Sequence, residues 1–168
     1  MQTPPNSLEQ PIPAAIVSED GVYRYFLSRQ LSTSNRIVAF VGLNPSTADA
    51  NSDDPTIRRC VRFAEDWGAG SLWMVNLFAF RSTKPERLKK ASDPIGPLND
   101  LWLEFAMRHA HTIVAAWGNG GALFGRGEHA RSTFRGRLSV FGLTDKGFPR
   151  HPLYLRSDCG VSILDACD

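Results

Sequence analysis

The chain has 168 residues, 42% of them hydrophobic and 21% charged, with a formal net charge of +2. That length and balance suit one globular domain with its own core and exclude a disordered or fibrous chain. No run approaches the roughly 18 apolar residues that span a bilayer, and the three scattered cysteines, Cys60, Cys159 and Cys167, argue against a disulfide framework or a cysteine-rich metal site.

Residues 1–20 open with a polar, proline-rich stretch that lacks the apolar segment of a signal peptide. They read as a flexible arm, leaving 21–168 as a single domain, and a reducing cytoplasm is the expected location. Residues 21–31 (GVYRYFLSRQL) read as an edge hairpin or strand. Four short apolar runs follow: 36–42 (RIVAFVG), 71–77 (SLWMVNL), 112–118 (TIVAAWG) and 137–142 (RLSVFG). Their continuous rather than alternating hydrophobicity predicts strands covered on both faces, as in a parallel sheet.

Helical patterns separate these runs. Asp54-Pro55 is a start signal, and Ile57, Cys60, Val61 and Ala64 recur at helical spacing before Gly68. Leu98, Leu101, Trp102, Phe105 and His109 form a second stripe. A weaker third helix is expected over 122–134, interrupted by Gly125 and Gly127. The alternation predicts an α/β fold: a three-layer αβα sandwich around a central, mostly parallel four-stranded sheet. In such sheets ligands bind outside the carboxyl ends of the strands.

The first strand runs into Gly42-Leu43-Asn44-Pro45-Ser46-Thr47, with Asp49, Asp53 and Asp54 close behind. A glycine allows close backbone approach, Pro45 holds Asn44 extended, and the Asn44 amide can donate and accept. A strand-to-helix turn with capping residues explains the same pattern. At the end of the second strand Asn76 needs a buried partner, either a ligand or a neighbouring loop, because an unpaired amide there costs about 1–3 kcal/mol. The glycine-rich turn after Trp117 lacks the Gly-Lys-Ser/Thr ending of a phosphate-binding loop. His151 sits between Arg150 and Pro152 on a stiff loop and titrates near neutrality by default. His109 and His111 read as structural and His129 as exposed, and no spacing supports a metal site.

Charge is unevenly spread. Residues 1–57 carry three Lys/Arg against six Asp/Glu, residues 58–124 nine against six, and residues 125–150 six against two. The last stretch (Arg126, Arg131, Arg135, Arg137, Lys146, Arg150) is either a phosphate-tracking surface or a solvated basic face.

Taken together, GLNPS, VNLFAFRSTKP, TIVAAWG and HPLY resemble, in order and spacing, the motifs of the uracil-DNA glycosylase superfamily. GLNPS is similar to the first motif of its mismatch-specific uracil and thymine glycosylases. The wording GLNPSTAD, DDPTIRRC and NLFAFRSTKP is more similar still to a bacterial and phage family known only as a domain of unknown function. The superfamily resemblance implies a uracil-DNA-glycosylase-like fold and a monofunctional DNA glycosylase acting on a uracil-like or modified base, with DNA as partner, acting as a monomer without cofactor or metal. It implies that Asn44, His151 and Asp54 are catalytic, Asn44 positioning water and His151 stabilising charge on the departing base, while Asp54 is either a general base or a helix cap. It places Gly42, Leu43, Pro45, Ser46, Asn76, Phe78 and Pro152 around the base. Arg58, Arg81, Lys84 and Arg150 would contact the nucleic-acid backbone, and Arg59 and Arg62 either share that role or face solvent. The chain departs from the superfamily in reading HPLY for His-Pro-Ser-Pro and in having no acid directly after the first glycine. A non-hydrolytic nucleotide- or nucleobase-binding domain on the same fold is the other reading.

Overall fold

The computed structural model describes residues 3–9 and 11–164, the Pro85 side chain excepted, so Cys167 lies outside the described residues. In chain order the elements are β1 (Ala15–Val17), β2 (Arg24–Gln30), β3 (Ile37–Gly42), α1 (Pro55–Asp66), β4 (Ser71–Asn76), α2 (Asn99–His109), β5 (Thr112–Ala115), α3 (Arg126–Thr133), β6 (Leu138–Val140) and β7 (Ser162–Ile163). Short 3-10 turns occupy Pro85–Lys90, Gly118–Gly125 and Pro152–Tyr154.

The four apolar runs are β3 to β6, and they form the parallel centre: β3 pairs with β4 and β5, and β5 pairs with β6. The sheet is nevertheless seven-stranded and mixed rather than four-stranded, in the order β1-β2-β4-β3-β5-β6-β7. Its three additional strands pair antiparallel, β1 with β2, β2 with β4, and β7 with β6. Each has a weak sequence signature. β1 is three residues long and follows prolines, β7 is two exposed residues, and β2 has arginines within it. Two further expectations change with them. Residues 21–31 do not form an edge, because β2 is flanked on both sides. Nor is all of 1–20 a loose arm: β1 joins the sheet, and Ser28 ties down the residues before it through its amide to the Ala14 carbonyl and its hydroxyl to the Pro13 carbonyl, both at 2.9 Å.

Alternation along the strands divides the core between two faces. Val38 and Phe40 pack with Ile57, Cys60, Phe63 and Ala64 of α1. Ala39 and Val41 belong to the opposite cluster, with Trp102, Leu103 and Phe105 of α2. Asp54 caps α1 by accepting from the Ile57 amide at 2.9 Å, and Gly68, at φ +69°, follows its end. The stripe expected on α2 is narrower than its spacing suggested, since Leu101 is solvent-exposed. The third helix begins only at Arg126, because Phe124 (φ 51°) and Gly125 (φ 66°) adopt left-handed backbone that breaks the turn before it.

From β3 the chain crosses by α1 to β4 on one side, then by α2 to β5 on the other side of β3. Strand order therefore reverses at β3, which opens a crevice at the carboxyl ends of the central strands. No helix among the described residues is long and apolar enough to cross a membrane.

Candidate functional site

A cavity of about 230 Å³ lies at this reversal. Gly42, Leu43, Asn44 and Ser46 line it from the end of β3, Asn76 from the end of β4, Asp54 from the α1 cap, and His151 from the loop after β6. Drug-sized ligands occupy about 300–1,000 Å³, so this space suits a single ring. Larger grooves of about 530 and 520 Å³ lie elsewhere, but neither contains a buried, unpartnered polar side chain among the described residues.

Asn44 is fixed by its amide nitrogen. Nδ2 donates to the carbonyls of Ser82 (2.8 Å), Pro45 (3.0 Å) and Phe80 (3.4 Å). These acceptors determine the orientation of the amide and leave Oδ1 as its acceptor end. The donor side of Asn44 is thus structural, tying the β3 loop to the loop after β4.

Asn76 shows the opposite arrangement. Its side chain is 3% exposed, and Nδ2 has no hydrogen-bond partner among the described residues. A Cβ at position 42 would stand 2.7 Å from its Oδ1, so glycine there gives the amide room against β3. The backbone below it is held from the other face of the sheet. Asn99 Nδ2 donates to the carbonyls of Asn76 (3.0 Å) and Leu77 (3.1 Å), and Arg126 donates twice more to Leu77 while pairing with Asp100.

His151 Nδ1 accepts from the Leu153 amide at 3.3 Å, which places the proton of the neutral ring on Nε2. Burial holds the ring below the usual histidine pKa, with Asp54 opposing that shift, so the neutral form prevails near pH 7. Asp54 is the capping residue of α1 and also lines the cavity.

The remaining expected site residues divide clearly. Phe78 is fully buried in the core beneath α2 and does not line the cavity, because it lies on the sheet face opposite Asn76. Pro45 is buried, and its carbonyl accepts from the Ser82 amide at 2.9 Å. Pro152 is buried at the start of a 3-10 turn. Neither borders the cavity. Of the expected backbone contacts, Arg81 lines an adjoining open cleft of about 320 Å³ with Arg87, Ser46, Ser82 and Thr83. Arg58, Lys84 and Arg150 are exposed; Arg58 bonds the Asp53 carbonyl and Arg150 the Leu143 carbonyl. Arg59 stacks over Phe63 at 4.6 Å and bonds the Leu155 carbonyl, which makes it structural. The basic stretch is no single surface, since Arg126 is buried at β4 and Arg137 bonds the Met107 carbonyl. His109 and His111 bond backbone, at Phe105 and Ile37, and His129 is exposed, as the sequence suggested.

Sequence reasoning missed two residues. Asn99 looks like the opening of an ordinary helix, yet it holds the end of β4. Arg24, one charge inside the aromatic run YRYF, is 2% exposed and lines the cavity. Burial pushes its guanidinium down to about 10. A charge inside an apolar strand was the available signal.

The sequence model of a family described as "Protein of unknown function (DUF1643)" matches residues 24–153. The chain belongs to that family. No curated protein and no solved structure matches it. The stretch shared with DUF1643 runs from Arg24 to Leu153 and so includes every charged and amide side chain that lines the cavity. Among the described residues of this DUF1643 member, no group of His, Cys, Asp and Glu could hold a metal ion.

Proposed function

We propose that this DUF1643 chain is a DNA glycosylase-like enzyme of the uracil-DNA glycosylase type, taking a flipped uracil-like or modified base into the cavity and hydrolysing its N-glycosidic bond. The observation that carries the reading is the convergence of Asn44, Asn76 and His151 on one ring-sized cavity, with the Asn76 amide nitrogen buried and unpartnered. A buried donor of that kind costs about 1–3 kcal/mol unless a ligand acceptor satisfies it. A base carbonyl is such an acceptor.

In the reaction the glycosidic bond breaks with its electron pair on the base nitrogen, while a water oxygen bonds the anomeric carbon and releases a proton. Asn44 Oδ1 accepts from that water. Asn76 Nδ2 donates to the base edge, and neutral His151, a donor at Nε2, faces the negative charge leaving with the base. Preorganised dipoles of this kind lower the barrier where charge develops, and extrusion of the base from the duplex precedes the chemistry. Asp54 is the one carboxylate among the described residues that lines the cavity, and it takes the water's proton. The site is built within one chain, so a monomer acting on DNA is sufficient.

The other reading, a non-hydrolytic nucleotide- or nucleobase-binding domain, is favoured by the engagement of Asp54 Oδ1 in capping Ile57. Incubation with oligonucleotides carrying uracil or hydroxymethylated bases, followed by alkali, separates the two. Glycosylase activity predicts alkali-labile breaks that fall about a hundredfold in Asn76→Ala, the cost of losing one oriented donor, and that also fall in Asn44→Ala. Base binding with no breaks across the panel leaves the binding reading in place of the enzyme.

A further inference from the structure

Among the described residues, Arg24 is the only Lys or Arg that lines the cavity. The Arg24 amide donates to the Ala79 carbonyl at 2.9 Å, which brings the residue to the carboxyl end of β4, beside Asn76. Nη1 is anchored on the Ala48 carbonyl at 2.6 Å. Nε is buried without a partner, and among the described residues no carboxylate stands within ion-pair distance. Burial is the main influence that lowers its pKa; among the charged groups around it, Asp54 and Asp49 favour its charge, and Arg81 and Arg29 oppose it. Arg29 is itself paired with Asp53 at 2.7 Å. Buried arginines are rarely left without an anion, because desolvation is offset only by a partner of opposite charge.

Two other polar ends at the cavity point to the same chemistry, while the acceptor Oδ1 of Asn44 is the end assigned to the attacking water. Asn76 Nδ2 and His151 Nε2 are donors, so three donor groups, one of them cationic, serve a space the size of one ring. An amino base would bring further donors to them. A ring with carbonyls and a negative charge would satisfy them. Asp54 opposes an anion, but its carboxylate sits on the amino end of α1, where the helix dipole and the Ile57 amide offset its charge.

Resting on the base-pocket reading above, we propose that Arg24 is the charge-recognition residue of the cavity, and that the site takes the anionic form of an acidic keto-pyrimidine in preference to neutral or amino bases. In the free base a ring N–H has lost its proton to solvent. In the glycosidic reaction the same charge arrives as the electron pair of the broken bond. Arg24 thus deepens the role given to His151, which is neutral and can only donate a hydrogen bond.

Calorimetric titration of the full chain with uracil, fluorouracil, nitrouracil and cytosine at one near-neutral pH tests this, since ring acidity rises from uracil to its fluoro and nitro derivatives. Affinity is expected to rise along that series by about ten- to a hundredfold, the range of a hydrogen bond gained to a charged group, with cytosine weakest. Arg24→Lys keeps the order and Arg24→Met flattens it, with thermal unfolding confirming that each variant folds. The wild-type series decides if the methionine variant does not. Flat affinity across the series, preference for cytosine, or an unchanged order in folded Arg24→Met overturns the assignment of Arg24 alone. No binding by any pyrimidine overturns the base pocket and this proposal together.

Discussion

At the scale of single residues, the site is defined by which polar atoms are used up and which are not. Asn44 spends its donors on three backbone carbonyls, whereas the Asn76 nitrogen bonds nothing among the described residues. Two residues that look alike in sequence, each an asparagine at a strand end, therefore divide into an acceptor held in place and a donor held in reserve. His151 carries a pH signature. Burial lowers its pKa in the folded chain, so just below the usual histidine value the unfolded chain binds more protons than the folded one. Stability is then fully present above that value and falls as pH drops through the window down to the folded pKa. His151→Gln is expected to remove this acid-side loss, read as a flatter dependence of the urea midpoint on pH. The same slope in wild type and variant would contradict it. Neither burial nor the use of Nδ1 was visible in the sequence, which gave only a histidine on a stiff loop.

At the scale of elements, α1 places the cap and the cavity at one point. Asp54 satisfies the Ile57 amide while facing the cavity, so its capping and chemical roles can be separated by substitution. Asp54→Asn keeps an N-cap of similar quality, whereas Asp54→Ala costs about 1 kcal/mol of stability. If Asp54 takes a proton during base release, Asp54→Asn folds with near wild-type stability yet loses activity. Activity in Asp54→Asn equal to wild type would reduce Asp54 to a cap. The strand β4 has its own support: Asn99 and Arg126 bind its last carbonyls from the opposite face of the sheet. That support was illegible in the sequence because it joins residues 22 to 49 positions apart. Phe78 fails as a base-contacting residue for a related reason. A motif fixes spacing along the chain but not where a strand stops: β4 ends at Asn76, so the alternation that would return Phe78 to the Asn76 face is broken, and Phe78 packs beside Leu77 in the core under α2.

At the scale of the whole molecule, the parallel centre was legible and its margins were not. β3 to β6 are buried on both faces and therefore announce themselves as unbroken apolar runs such as IVAFV. β1, β2 and β7 join antiparallel from outside, are short or carry polar residues, and owe their strand character to neighbours rather than to local pattern. The position of the site followed from the parallel centre, because reversal of strand order at β3 opens a crevice there whatever surrounds it. The charge of the site did not follow, because Arg24 enters from β2, an interior strand whose local pattern reads as an edge. The same organisation commits Arg126 and Arg137 to internal bonds, so the basic stretch adds less to the surface than its count suggests. What the fold assembles is a small cavity lined by a residue whose amide donor is unsatisfied among the described residues. The most direct test is to follow the side-chain amide resonance of Asn76 by NMR during titration with uracil and its acidic derivatives. Binding in the cavity predicts a saturable shift of that resonance, absent in a control titration with a plain sugar. An Asn76 amide that stays unmoved while other parts of the chain respond, or while nothing does, would contradict the account.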